Sequence, residues 1–209
     1  MDISLRIIAI LLLVAAGGYF AIAEISLAGS RKVRLTQLEE QGDERARLVL
    51  KLQEKPGPFF SVIQIGINAV AILGGIVGEP TFTPVFEKLL APICPPEMLS
   101  TVSWLASFVL VTFMFIMFAD LIPKRVGLSR PESISVRLIR SMLFLITILK
   151  PMVWLLTVVS NAIMKTLGLP TKSNNKLTSE DIVATVEAGG AAGVLAPSDE
   201  KEQNGTKAF

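Results

Sequence analysis

Apolar residues along this chain gather into four long stretches, separated by short segments that hold most of the charge. The first stretch, Ile7 to Ala28, contains one charged residue, Glu24. The second, Phe59 to Val77, contains none, and the third, Thr101 to Ile122, contains only Asp120. At about 1.5 Å of rise per residue, each is long enough to cross a hydrocarbon layer of roughly 30 Å. The pattern therefore predicts an all-α membrane protein with three transmembrane helices. The first stretch is expected to be retained, because it lacks both the charged lead-in and the small-residue cleavage site of a signal peptide. The fourth stretch, Ser141 to Leu167, is interrupted by Lys150-Pro151 and carries Lys165 near its end. Proline removes a helical hydrogen bond and crowds the preceding turn. The expectation here is a re-entrant element turning at Lys150-Pro151, or a juxtamembrane helical belt.

The basic residues orient the chain. Ser30 to Lys55 carries Arg31, Lys32, Arg34, Arg45, Arg47, Lys51 and Lys55, and Lys124, Arg125, Arg130, Arg137 and Arg140 follow the third stretch. Between the second and third stretches, Gly78 to Ser100, expected to be a loop, has only Lys88. Basic segments stay on the cytoplasmic side, so the N-terminus is expected outside and the C-terminus inside. A fourth crossing would place Lys165, Lys172 and Lys176 outside, against that bias. The segment Ser30 to Lys55 reads as a helix lying along the membrane surface, its basic side a candidate contact for lipid headgroups. After Pro170 the composition turns polar. A linker, a short helix opened by Ser179-Glu180-Asp181 and a disordered tail from Ala196 are expected. The division is thus a membrane domain over residues 1–170 and a polar region over 171–209.

Composition narrows the chemistry. Of 209 residues 51% are hydrophobic and 18% charged, with mean hydropathy +0.59, against about 25% charged in soluble domains. The absence of His excludes a Ser-His-Asp triad and His metal ligands. A single cysteine, Cys94, excludes an intrachain disulfide and a multi-cysteine metal site. A formal charge of +2 gives no footprint for nucleic acid. With no nucleophile–base pair visible, enzymatic function is not expected.

The polar residues inside the apolar stretches are the candidates for function. A charged acid in hydrocarbon costs at least ~2.5–3.5 kcal/mol. Glu24 therefore either faces a protein-lined cavity or sits at the headgroup layer. It shares a helical face with the small residues Gly17, Ala21 and Ala28. Ser61, Gln64 and Asn68 lie at i, i+3 and i+7 on the second helix and offer oxygens either to a hard cation or to a neighbouring helix. Gly74 and Gly78 form a small-xxx-small pair, the expected contact points for helix packing and for a homodimer. Pro123 has no N–H to donate to the Ala119 carbonyl four residues back, so that oxygen is freed beside Asp120. A freed carbonyl next to an acid is a cation-site arrangement in broken membrane helices. The alternative is an Asp120 paired with Lys124 or Arg125 at the interface. Together Glu24, Ser61, Gln64, Asn68, Ala119 and Asp120 outline an oxygen-lined cavity open to the cytoplasm.

The segments Ala23-Glu24-Ile25-Ser26-Leu27-Ala28, Ser61-Val62-Ile63-Gln64-Ile65-Gly66 and Asp120-Leu121-Ile122-Pro123-Lys124 resemble, in order, the membrane domain of the CorC/CNNM family, also called DUF21. The resemblance covers roughly residues 4–195. Through the run from Gln64 to Gly78 it is most similar to the bacterial polyamine-export branch. It implies a homodimer in the bacterial inner membrane, with three membrane helices and a helical belt. In the family, cytoplasmic CBS modules follow; Leu177 to Leu195 resembles the approach to them, so the chain is expected to be a truncated membrane domain. Nucleotide would act only through those modules, and no cofactor is expected in this chain apart from a bound Mg²⁺. For Mg²⁺ the resemblance implies Ser61, Asn68, the Ala119 carbonyl and Asp120 as ligands. The chain departs from the family at Ala21, where serine is frequent, and at Asp120, where glutamate is commoner.

Export of a dication follows as the leading expectation. A polyamine such as putrescine or cadaverine suits two separated carboxylates, Glu24 and Asp120. The alternatives are transport of Mg²⁺, which takes about six oxygens at ~2.0–2.1 Å, and a cation-sensing membrane anchor that regulates a partner.

Overall fold

A computed structural model describes residues 2–168. The described residues are helical almost throughout: α1 (Ile3–Gly29), α2 (Lys32–Glu40), α3 (Glu44–Glu54), α4 (Gly57–Leu90), α5 (Pro96–Met114), a π-helical segment (Phe115–Leu121), α6 (Ile122–Ser129) and α7 (Pro131–Thr166). The helices up to Thr157 form one compact unit, and Val158 opens a second. Of that second unit, the described part is the end of α7 and a turn in which Gly168 adopts φ +69°. The linker, the helix at Ser179, the tail and the expected approach to further modules lie outside the described residues.

Among the described residues four helical spans, not three, are long and apolar enough to cross a membrane: Ile3–Gly29, Gly57–Leu90, Pro96–Ser129 and Pro131–Thr166. Two sequence expectations are corrected by proline. No re-entrant turn forms at Lys150-Pro151, because α7 runs through Pro151 without a break. The segment from Gly78 is not a loop as far as Ser100 either: α4 continues through Pro80 and Pro84 to Leu90, and α5 begins at Pro96. A long apolar helix tolerates proline where other groups satisfy the freed backbone. At Pro84 the group is visible. Its missing N–H leaves the Pro80 carbonyl open, and the Arg6 guanidinium donates to that oxygen at 2.9 Å. Close by, the Thr81 hydroxyl donates to the Val77 carbonyl at 2.6 Å, and Ser107 Oγ on α5 donates to the Glu79 carbonyl at 2.8 Å.

Helix α1 is the centre of the unit, packed against α4, the π segment and α6, while α4 also packs against α5. Glycines make these crossings close. A Cβ on Gly17 would lie 2.8 Å from Ala119 Cβ and 3.2 Å from Val70 Cγ1, and one on Gly18 would lie 3.2 Å from Pro123 Cγ. Gly66 accommodates the Phe20 ring, Gly74 the Phe115 ring, Gly78 the Val111 side chain and Gly127 the Ile25 side chain. Gly74 and Gly78 thus serve packing within the chain. Both are buried against the π segment and α5, the helix packing expected of them.

Two apolar clusters hold the arrangement. One joins Ile10, Val70, Val111, Phe115 and Ala119 across α1, α4, α5 and the π segment. The other joins Ala23 and Leu27 of α1 to Leu35, Val49, Phe59, Ile63, Ile139 and Met142. This second cluster anchors the belt of α2 and α3 and the start of α7 at one end of α1. Polar contacts finish the joint. Gln53 Nε2 on α3 donates to the Leu27 and Ser30 carbonyls at 3.1 and 2.9 Å, satisfying oxygens at the C-terminal end of α1. Ser30 Oγ lies 2.6 Å from the Ser26 carbonyl and 2.9 Å from Ser135 Oγ on α7. Asp43 caps α3 by accepting from the Arg45 N–H at 3.0 Å. The side-chain hydrogen bond from Arg45 holds its carboxyl below the usual aspartate range.

The closeness of the Gly17–Ala119 approach gives a stability prediction. Gly17→Ala forces a methyl against Ala119 and Val70, and overpacking of this kind costs about 1–3 kcal/mol. Reversible unfolding of the variant in detergent measures the loss. Wild-type stability would mean that α1 and the π segment pack less tightly than described.

Candidate functional site

The site begins with a change of helical register. Through Phe115–Leu121 the third span is π-helical, and the Ile122 N–H donates to the Met117 carbonyl five residues back. Pro123 can donate neither to Phe118, five residues back, nor to Ala119, four residues back. It therefore sits where the π register returns to α and leaves both carbonyls without that donor. Such π segments recur at functional sites in helices. The helix does not break at Pro123; it continues as α6. Pro123 itself is buried, and its ring packs at Gly18 of α1.

The two acids expected from the sequence meet here through one cation. Lys124 Nζ lies 2.7 Å from Asp120 Oδ1 and 3.4 Å from Glu24 Oε2. Asp120 and Lys124 are one turn apart on the same helix, and Glu24 reaches them from α1 across the Gly18–Pro123 and Ile25–Gly127 contacts. All three side chains are partly exposed, Glu24 least at 25%. The group carries two negative charges against one positive, a balance of −1.

The remaining candidates stand apart from this group. Ala119 is buried among Ile10, Val70, Val111 and Phe115. Ser61 Oγ donates to the Gly57 carbonyl of its own helix at 3.1 Å. Gln64 and Asn68 are exposed, on the side of α4 away from its buried face of Val62, Ile63, Gly66 and Val70. Among the described residues no hydrogen bond or ion pair links Ser61, Gln64 or Asn68 to Glu24 or Asp120. Nor do the described residues contain a group of three or more acidic, His or Cys side chains able to hold a metal ion.

Sequence reasoning placed Lys124 only as a partner of Asp120. The shared contact with Glu24 depends on the register of α1 against α6, which no local spacing reveals. The π segment left no sequence signal beyond Pro123 itself.

Comparison with known proteins adds to this geometry. The family profile of the Cyclin M transmembrane N-terminal domain matches residues 7–200. A polyamine export protein of Salmonella typhimurium is 46% identical over 183 residues, covering 88% of this chain and 41% of that protein. A polyamine export protein of Haemophilus influenzae is 40% identical over 195 residues, covering 93% of this chain and 45% of that protein. The UPF0053 protein sll0260 of Synechocystis is 35% identical over 208 residues, covering 97% and 45%. The chain spans less than half the length of these relatives. The profile extends over most of the chain and all the residues that build the Glu24–Lys124–Asp120 group, and the chain belongs to the Cyclin M transmembrane N-terminal domain family.

Proposed function

We propose that this membrane domain exports a dication, a polyamine such as putrescine or cadaverine, with Glu24 and Asp120 as its two carboxylates. The observation that carries the reading is the shared Lys124 ammonium, 2.7 Å from one acid and 3.4 Å from the other. A primary ammonium already occupies the place where a substrate ammonium would bind. When Lys124 swings away, the two acids present −2, which a diprotonated diamine neutralises. Exchange of one ammonium for another keeps each carboxylate paired and avoids leaving a bare charge in a low-dielectric setting. The names of the Salmonella and Haemophilus relatives support the substrate class.

Transport of Mg²⁺ is the second reading, favoured by the N–H that Pro123 cannot give to the carbonyls of Phe118 and Ala119 beside Asp120. Ser61 and Asn68 would complete that site only if α4 turned its polar face toward Asp120. Mg²⁺ takes oxygen ligands at ~2.0–2.1 Å in octahedral geometry, a demand that the Lys124-bridged pair does not meet.

Calorimetric titration separates the two. For a diamine, Asp120→Asn and Glu24→Gln each weaken putrescine binding by about 1 kcal/mol, the upper range for a partly exposed ion pair. Lys124→Gln removes the resident competitor and tightens binding. Loss at Asp120→Asn alone, with Mg²⁺ as the bound species, would overturn the polyamine reading. Unchanged affinity in both acid variants would exclude the pair as ligands.

The homodimer is assigned to the polar face of α4. Gln64 and Asn68 are exposed on the protomer, and amide side chains in a membrane span are satisfied by a neighbouring helix. A second copy of α4 supplies amides to pair with them. Asn68→Trp should shift the protein toward monomer in light scattering, and an unchanged mass would exclude this face.

The orientation proposed places the N-terminus and the short connection at Cys94 outside the bacterial inner membrane, and α2 and α3 in the cytoplasm. The basis is the seven basic residues between Arg31 and Lys55 against Lys88 alone beside Cys94. A membrane-impermeant maleimide should label Cys94 in intact spheroplasts. Gln41→Cys in a Cys94→Ser background should react only after permeabilisation. The reverse pattern would invert the topology.

A further inference from the structure

Two neighbouring cavities lie outside the Glu24–Lys124–Asp120 group. One, of about 940 Å³, is bounded by the α2–α3 belt and the α6–α7 junction, and Arg31, Arg34, Arg45, Arg130 and Arg137 line it. The acids in its lining are Asp43 and Glu132. Asp43 is committed to Arg45, whose Nε lies 3.0 Å away, and Glu132 stands 3.8 Å from Arg31. Arg34, Arg130 and Arg137 have no ion-pair partner among the described residues. Five guanidinium groups against two carboxylates leave a balance of +3 in the lining.

The second cavity, of about 550 Å³, is a groove between α1, the third span and α7. Its walls are apolar: Leu11, Val14, Ile22, Phe118, Val126 and Leu138 are among them. From Ile22 back to Leu11 it follows α1 for about 16 Å. The one charged residue in its lining is Arg137, and Arg137 also lines the arginine cavity. A charged pocket and an apolar groove therefore share one lining residue, Arg137.

We infer that the two cavities together hold one anionic phospholipid, its headgroup phosphate among Arg130, Arg137 and Arg34 and an acyl chain along the α1 groove. Guanidinium forks match phosphate oxygens in geometry as well as charge. A soluble phosphate compound would use the arginines and leave the groove unfilled. A neutral lipid would fill the groove and leave the excess positive charge unmatched. An anionic lipid satisfies both, and it is abundant at the depth where basic residues flank membrane helices. The inference is independent of which cation the domain carries.

The test uses the full chain purified in detergent, with bound lipid read by native mass spectrometry. The probes are dioleoyl phosphatidylglycerol, dioleoyl phosphatidylcholine and glycerol 3-phosphate. Phosphatidylglycerol should be retained in preference to phosphatidylcholine, and glycerol 3-phosphate should not displace it. Arg137→Gln should reduce retention about fivefold, the scale of one basic residue near an anionic surface. Ala15→Trp, which fills the groove without altering charge, should reduce retention as well. Arg47→Gln should not, because Arg47 pairs with Glu39 outside both cavities. Equal retention of the two lipids by the wild type, a result that needs no variant, would overturn the proposal. So would displacement by glycerol 3-phosphate, which would mark a site for free phosphate compounds. Equal loss in Arg47→Gln and Arg137→Gln, with Ala15→Trp unaffected, would mean general surface electrostatics. If Arg137→Gln does not fold, Arg130→Gln takes its place.

Discussion

The near-contact of α1 with the third span at Gly17 and Gly18 is the constraint on which the other features rest. Lipid chains are as apolar as leucine, so membrane helices gain little by hiding hydrocarbon from one another; close packing and polar contacts must bind them. Without side chains at 17 and 18, Ala119 and Pro123 settle directly on the α1 backbone. That approach fixes the register further along the pair. Ile25 then falls against Gly127, and Glu24 comes within reach of Lys124. A larger residue at either glycine would move the acids apart, although neither glycine touches a charge.

Much of the fold was legible because its signals are local. Apolar length alone located three of the four long apolar helices among the described residues and missed the continuity of the fourth, and the spacing of small residues marked faces that do pack. Gly74 shows the limit of that reading. Its smallness announced a contact, but whether the contact was Phe115 of the same chain or a second protomer depends on the fold around it. Pro151 misled for a different reason. In water a proline such as this tends to end a helix, because the freed carbonyl and the bent chain find solvent. In an apolar setting leaving the helix exposes more backbone than the proline itself does, so the helix continues and a neighbour supplies the missing donor. For Pro84 the donor is Arg6, from the far end of the sequence, which no window around the proline could disclose.

The candidate site was half legible on the same principle. Glu24 and Asp120 stood out as lone acids in apolar stretches, and that they meet follows from the cost of leaving either unpaired. Their meeting through Lys124, and the separation of the Ser61, Gln64 and Asn68 face from them, are consequences of helix rotation. A stripe at i, i+3, i+7 shows which residues share a face and says nothing about what the face looks toward. On α4 the buried face of Val62, Gly66, Val70 and Gly74 is taken by α1 and the third span, so the amides point the other way.

Proline thus has two outcomes in one molecule. At Pro84 the freed carbonyl is met by a fixed guanidinium, and the helix is locked to the start of α1. At Pro123 the loss of a donor coincides with a π register and with charged groups that have a choice of partner. The Lys124 ammonium is shared between two acids at unequal distances, 2.7 and 3.4 Å, and a flexible four-carbon stem carries it. Each carboxylate is held by an ion that can leave, in a group whose charge balance is already negative. A guanidinium fork would hold one acid in a fixed geometry, as Arg45 holds Asp43 with two side-chain hydrogen bonds near 3 Å. The proposed exchange of cations at Glu24 and Asp120 rests on that difference between the two kinds of acid–base pair.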